Sequence, residues 1–544
     1  MEPLQALDRV AARADAWRAV PLGERAALLR ACVRAMEPLV DEWAATSCRL
    51  KSCDPDSRWL GEEAVIGPAV TARVTRLYAD ALERGFDGPA PGAFEVQPGQ
   101  LAVPAFPAAR YDALLFPGVR AELWLEPGAE ATRGRTGPGG VAAVMGAGNV
   151  SSILPLDALH QLLHEDRVAV LKLNPVMAGL RPVFERALAP LVEAGYLAFV
   201  EGGVEEGAAL IHDERVAAVH VTGSHHTYDA IVWGTGEEAA RRRAAGTRLV
   251  EKPVTAELGC VSPVLVVPER WDRADLRAQA RSIAGMVANN GSFNCNAAKL
   301  IVTSRHWPQR GAFLAELRAA LAATPLRPAW YPGAEQRWQR FADRYPQTER
   351  LGEVPPGAPG APPTLPWALI PGVDPEAGEL ALSEESFCGV VAECALDVAG
   401  AEAFLDEAVR FVNEAVWGTL SCSLVVAPTV PREAVDRAVA GLRYGGVAVN
   451  GWPAILFALG PTTWGAFPGN TPEDVGSGIG WVHNTGLLDH PQKSVVRFPF
   501  RPPFKPVWDP SHRRLRALGR SLARFEARPG VGRLLPLAAA GALG

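Results

Sequence analysis

Short apolar runs alternate with helical spacings through most of the chain. Residues 140–145, 168–172, 198–201 and 217–221 are apolar runs of strand length. Between them, 154–164, 181–194 and 205–212 carry apolar positions at helical intervals. Strands that alternate with helices predict a parallel sheet covered on both faces, hence an α/β fold. A second such series is predicted from about 261 to 449, with strands at 263–267, 299–302, 390–394 and 423–426. Residues 1–85 read as helical, with Leu28, Leu29, Cys32, Val33 and Met36 on one face. Residues 86–139 are rich in Gly and Pro and predict loops with a few short strands, one at Leu123-Trp124-Leu125. The Pro/Gly stretch 355–366 predicts an exposed loop. Past about 470 come a polar linker, a Pro/aromatic run (498–508), an arginine-bearing helix (511–528) and a tail of small residues. The domain boundaries predicted are 1–139, 140–258, 259–449 and 450–544.

At 544 residues the chain exceeds what one core organises. Hydrophobic and charged contents of 48% and 21% are those of an ordinary globular protein. A net charge of -6, without a Lys/Arg-rich run before the last segment, argues against nucleic acid as a partner. The N-terminus carries no secretory pattern, and no stretch reaches the ~20 apolar residues that span a bilayer. The eight cysteines form no C-x-x-C pair and no zinc-spaced set, so no metal is expected. Reduced thiols in a cytoplasm follow.

Four stretches carry candidate chemistry. In A-N-N-G-S-F-N-C-N-A-A-K-L-I-V (288–302) a polar, glycine-bearing turn delivers Cys295 to the start of an apolar strand. Such a thiol is either a nucleophile held in a cleft or a small buried apolar residue. Gly146-Ala147-Gly148, between a strand and a helix, is most of a dinucleotide fingerprint. The third glycine is replaced by Ser151, and Lys172 and Asn174 stand where an acid is expected. Val221-Thr222-Gly223-Ser224 ends a second strand at a helix entry, where free backbone N–H groups suit a phosphate or Ser224 simply caps the helix. Glu257, in T-A-E-L-G-C, is a carboxylate between apolar strands, a setting that raises its pKa and suits a general base.

In order and approximate spacing these pieces, with Glu385-Ser386-Phe387, Asn413 to Gly418 and Gly446 to Asn450, resemble the aldehyde dehydrogenase superfamily over about residues 10–470. The resemblance implies two Rossmann-like parallel-sheet domains plus an oligomerisation arm, a homo-oligomer, and NAD or NADP as cofactor. It implies that Cys295 attacks an aldehyde carbonyl, that Asn149 and the Cys295 backbone N–H hold the oxyanion, and that Glu257 activates the hydrolytic water. Lys172, Asn174, Thr222, Gly223, Ser224, Leu258, Glu385 and Phe387 would surround the cofactor. Phe293, Trp417 and Trp452, with Phe457, are candidates for an apolar substrate tunnel.

Several positions depart from that pattern. Gly259-Cys260 replaces the usual Gly-Gly, which puts a second thiol beside the site. The approach G-S-F-N-C is one residue longer than G-Q-x-C, so an ungapped match puts Asn294 at the nucleophile's place. Pro175 occupies the position that often carries an acid for the adenosine ribose, which leaves NAD and NADP undistinguished. The Cys295-x-x-x-Lys299 spacing is similar to acylating branches of the superfamily, so an acyl-thioester reductase is the alternative activity and an inactive scaffold the alternative of another class. The helix at 511–528 is expected to pack on a subunit with its arginines solvated, with a peripheral membrane contact as the other reading.

Overall fold

The computed structural model describes residues 2–86, 89–134, 137–357, 360–376 and 378–544. Part of the 355–366 stretch therefore lies outside the described residues; the described remainder has no helix, with one isolated bridge from Thr364 to Pro328. Two sheets carry the site. The six-stranded sheet runs in the order Gly478–Ile479, Val254–Glu257, Val216–Thr222, Val141–Met145, Val168–Lys172, Leu197–Val200. All but the outermost Gly478–Ile479 are parallel. Val141–Met145 is buried throughout, as a strand covered on both faces must be.

The eleven-stranded sheet has a parallel centre, in the order Pro491–Arg497, Gly446–Val449, Ser421–Val425, Pro263–Val266, Leu300–Ser304, Val390–Leu396, Trp367–Val373. Antiparallel strands extend both edges: Glu349–Leu351 on one side, and Arg120–Leu125, Gln100–Phe106 and Phe94–Gln97 on the other. This sheet thus takes strands from the segments 1–139 and 450–544 as well as from 259–449. Strand pairing is set by hydrogen bonds between distant residues, which the local pattern does not carry.

Helix ends follow local chemistry. Pro190 splits the predicted 181–194 helix into Arg181–Ala187 and Ala189–Glu193, because a proline lacks the N–H that continuation needs. The C-terminal helix begins at Leu515, and the small-residue tail forms a second helix, Val531–Ala542. The arginines of Leu515–Ala527 stay part-exposed and pair with carboxylates of the same chain. Arg520 forms two 2.8 Å bonds to Asp41, and Arg516 reaches Asp56 at 2.6 Å, all within the chain. Asp41, on the helix Val40–Leu50, and Asp56, in the turn before Trp59–Ala64, complement these part-exposed charges. Among the described residues no helix is long and apolar enough to cross a membrane.

Candidate active site

The 288–302 segment leaves the buried helix Arg273–Ala288 and turns sharply before entering Leu300–Ser304. Asn290, Gly291 and Ser292 have φ of +55°, +69° and +72°. Left-handed backbone costs roughly 1–2 kcal/mol at a non-glycine residue, so something must hold it. Two buried side chains do. Lys299 Nζ donates to Ser292 O at 2.9 Å, Ser292 Oγ at 2.6 Å and Cys388 O at 2.9 Å. Asn290 Nδ2 donates to Asn149 O at 3.0 Å and Asn294 Oδ1 at 3.0 Å. Asn290 is fixed in turn by a buried ionic group: Lys51 Nζ lies 2.9 Å from its Oδ1, and its backbone N–H donates to Glu62 at 3.2 Å. Lys51 pairs with Glu63 at 2.8 Å and Arg327 with Glu62 at 2.7 Å.

This scaffold presents Cys295, part-exposed, to a tunnel whose enclosed volume is about 80 Å³. Asn294 lines the same tunnel beside Cys295, so both positions proposed by the two alignments reach it. Most of the other wall residues are apolar, among them Val150, Ile153, Trp452, Phe457 and Trp464, with Glu62, Asn289 and Asn296 as the polar exceptions. Trp452 also supports the turn, its indole N–H donating to Asn296 O at 2.9 Å.

Glu257 ends the strand Val254–Glu257, is 4% exposed, and has Oε1 buried without a hydrogen-bond partner. Burial first, and then the nearby charge of Asp157, push its carboxyl up to about 7, while the adjacent Cys295 thiol works the other way. The Cys295 thiol is itself pushed well above its ordinary value, by burial and then by the Glu257 charge. The resting sulfur is therefore a protonated thiol. The neighbours of the sulfur are carboxyls and apolar walls rather than cations, which favours the thiol over the thiolate. Asp157 accepts from Thr222 Oγ1 at 2.9 Å and lies 3.5 Å from His220 Nε2.

The remaining predicted positions divide. Asn149 Nδ2 donates to Phe293 O at 3.0 Å, two residues before the thiol, which commits one of its two N–H groups to the turn. Lys172 closes its strand at the C-terminal edge of the six-stranded sheet, where ligands of open α/β sheets bind. Ser224 caps His225–Val232, accepting from Thr227 N at 3.2 Å, while Gly223 and Ser224 stay exposed. Thr222, by contrast, turns its hydroxyl inward to Asp157. Asn174 caps the turn after Lys172 by accepting from Val176 N at 3.1 Å. Leu258 is wholly buried.

Glu385 reaches across Gly259, where an added Cβ would come within 1.8 Å of Glu385 Oε2. Its Oε1 is buried without a partner, and burial raises its carboxyl to about 8. Phe387 (φ +40°) packs with Phe293 and Tyr331, ring centroids 5.9 and 5.0 Å away.

Two pocket assignments fail. Phe293 is 2% exposed inside that aromatic cluster, because the turn directs it away from the tunnel. Trp417 packs on His225, centroids 5.2 Å apart, and is not in the tunnel wall either. Cys260 is buried with its sulfur accepting from Ser262 N at 3.2 Å, so it is a packed residue rather than a second thiol in the tunnel. Three wall residues, Val507, Trp508 and Leu515, come from beyond the last strand of the large sheet. Nothing local in the sequence marks them, since they reach the site only through the tertiary fold.

The residues present fit a hydroxyl-bearing cofactor at one point: the Glu385 carboxyl has a buried oxygen without a hydrogen-bond partner, which can accept from a ribose hydroxyl.

Comparisons with known proteins follow the same outline. The aldehyde dehydrogenase family matches over residues 121–335. A vanillin dehydrogenase of Amycolatopsis is 33% identical over 174 residues, and the aligned segment spans only 31% of each chain. Among solved structures, an NAD-dependent aldehyde dehydrogenase from Sinorhizobium meliloti superposes with a TM-score of 0.62 at 17% identity, over 92% of this chain and 87% of that one. A Mycobacterium tuberculosis aldehyde dehydrogenase complexed with NAD+ gives 0.61 at 18%, over 91% and 90%. At such identities the structural likeness establishes the fold.

Proposed function

We propose that this chain belongs to the aldehyde dehydrogenase superfamily and oxidises an apolar aldehyde to the carboxylate with NAD or NADP. The observation that carries this reading is the thiol of Cys295 at the wall of an apolar tunnel, next to a buried carboxyl raised to about 7. The names of the relatives point the same way.

The residues divide the work as follows. Glu257 takes the thiol proton as the sulfur bonds to the aldehyde carbon; near pH 7 a useful fraction of it is ionised. The thiohemiacetal oxygen gains negative charge and is held by the Asn149 amide and the Cys295 backbone N–H. Lys172, Gly223, Ser224 and Glu385 hold the dinucleotide, whose nicotinamide supplies a hydride acceptor when bound. Loss of hydride would leave a Cys295 thioester; Glu257 passes the thiol proton to solvent, then deprotonates the hydrolytic water and returns that proton to the departing Cys295 sulfur as the acid is released. The apolar walls favour an aldehyde with a hydrocarbon or aromatic body, as desolvation of such a body drives its entry.

The acyl-thioester reductase reading rested on the spacing of Lys299 from Cys295. With its ammonium committed to Ser292 and Cys388, Lys299 does not favour it. A homo-oligomer belongs to the same proposal. It is supported by the outermost strand Phe94–Gln97, which leaves an unpaired sheet edge with Phe94 40% exposed. Light scattering on the eluting protein reads the state.

The test is NAD(P)H formation from apolar aldehydes with either cofactor, with and without coenzyme A. Turnover without coenzyme A is expected. A strict requirement for it moves the assignment to the reductase. Failure of iodoacetamide to label Cys295 ahead of the other cysteines moves it to a scaffold.

A further inference from the structure

The chain does not end with the last strand of the large sheet, Pro491–Arg497. Its remaining residues cross back over the N-terminal helices and supply Val507, Trp508 and Leu515 to the tunnel that holds Cys295. We infer that this C-terminal arm is a wall of the substrate tunnel in its own subunit, and that Trp508 and Leu515 set the size of aldehyde admitted. The inference rests on the dehydrogenase reading above and extends it to specificity.

The arm is built to stay in place. The helix Leu515–Ala527 crosses Trp59–Ala64 at backbone contact. A Cβ on Gly61 would come within 2.2 Å of Leu515 O, and one on Gly519 within 2.2 Å of Gly61 O. Only glycine at both positions lets the helices approach this closely. Next to the crossing, Arg58 donates to Pro510 O at 2.6 Å, and Arg73 pairs with Glu526 at 3.0 Å, both buried or part-buried. Arg281 holds Asp509 at 2.8 Å, and Trp508 donates its indole N–H to Ser282 Oγ at 3.1 Å. A Cβ on Gly285 would meet Trp508 O at 2.1 Å, so the backbone at Trp508 is seated on the helix that leads into the nucleophile turn.

Trp508 is therefore fixed from two sides. Its ring meets Trp452, centroids 6.2 Å apart, and Phe498 at 5.7 Å. Trp452 supports the turn after Cys295, so the arm and the nucleophile share one aromatic wall. Glu62 also lines the tunnel, but its carboxylate is paired with Arg327 and with the Asn290 N–H, so the wall offers a substrate packing rather than a free charge.

A rigid apolar wall discriminates by volume. Removing an indole opens room for several methylenes, each worth about a tenfold difference or less in kcat/KM. The experiment compares kcat/KM for propanal and decanal in the wild type, Trp508→Ala and Leu515→Trp. The expected result is a decanal-to-propanal ratio raised about tenfold or more by W508A and lowered by L515W. Ratios within twofold of wild type for both variants overturn the inference. A second readout does not depend on turnover: the rate of Cys295 alkylation by N-benzylmaleimide relative to iodoacetamide should rise in W508A and fall in L515W. If the wild type oxidises no aldehyde at all, the dehydrogenase reading fails, and the arm is judged on this alkylation ratio alone. An unchanged ratio then overturns it too.

Discussion

Lys299 Nζ lies 2.9 Å from the carbonyl oxygen of Ser292, a residue held at φ +72°. The same ammonium satisfies Cys388 O, so one buried lysine ties the nucleophile turn to the strand that follows Glu385 and Phe387. Burial lowers its pKa to about 8. Lys299→Met keeps the length of the side chain and removes the donor. It strands two buried carbonyls, each costing roughly 1–3 kcal/mol, and releases the left-handed backbone. The expected outcome is a urea-unfolding stability lower by about 3 kcal/mol and a larger loss of turnover than of cofactor affinity. Wild-type stability and turnover in K299M would show that the turn holds itself.

The raised carboxyl of Glu257 fixes the pH behaviour. Its folded value is above the ordinary 4.5, at about 7. The folded protein therefore holds this proton more tightly, and the stabilising contribution is lost as pH rises from about 4.5 through about 7. Thioester hydrolysis needs the ionised form, so its rate should climb through the same upper limit and level off above it. Asp157→Asn removes a like charge that helps raise Glu257, so the ascending limb should move to lower pH. Stopped-flow measurement of the hydrolytic step across pH 5–9 checks both. A limb that stays in place in D157N excludes Asp157 as the perturber.

Much of this arrangement was legible in the chain. The strands of the six-stranded sheet are readable from their apolar runs, because buried parallel strands have no polar face to confuse the period. The thiol turn is readable from Asn290 and Gly291, two residue types that tolerate positive φ. Phe293 and Trp417 were misread because an aromatic beside a nucleophile in sequence points wherever the turn sends it. Here Phe293 joins Trp330 and Tyr331 in a core cluster instead. Val507, Trp508 and Leu515 were missed for the opposite reason. They lie more than two hundred residues from Cys295, and only the glycine crossing of Gly61 and Gly519 brings them back. The arginines of the last helix read as a solvated face and are part-exposed; nothing local shows that Asp41 and Asp56 pair with them.

Gly259 bears on the cofactor more than on the aldehyde. A methyl group there would come within 1.8 Å of Glu385 Oε2. The tip of a glutamate can move, so Gly259→Ala should fold, with Glu385 displaced from the cleft. Under the proposed assignment this raises KM for NAD(P) about tenfold or more while KM for aldehyde changes little. Glu385→Gln, which leaves the chain in place but removes its charge, should do less. An equal rise in both KM values in G259A would mean that Glu385 does not serve the dinucleotide.

The two halves of the proposed reaction make different demands on Glu257, and a single substitution separates them. Glu257→Gln keeps the volume and can still accept a hydrogen bond, but it cannot take a proton. Attack by Cys295 then depends on the small fraction of thiolate present, which pH supplies; hydrolysis loses the carboxyl adjacent to the sulfur, and Glu62 in the tunnel wall is already paired with Arg327. At pH 9 the variant should therefore give a burst of NAD(P)H near one equivalent per active site, followed by a steady rate lower by about 10²–10⁴. Acid quench and mass spectrometry should find the acyl group on the peptide that contains Cys295. Adding hydroxylamine, a nucleophile that needs no base, should restore turnover by cleaving the thioester directly. A burst absent at every pH would instead make Glu257 indispensable to the attack itself, and a normal steady rate would assign the water to another group.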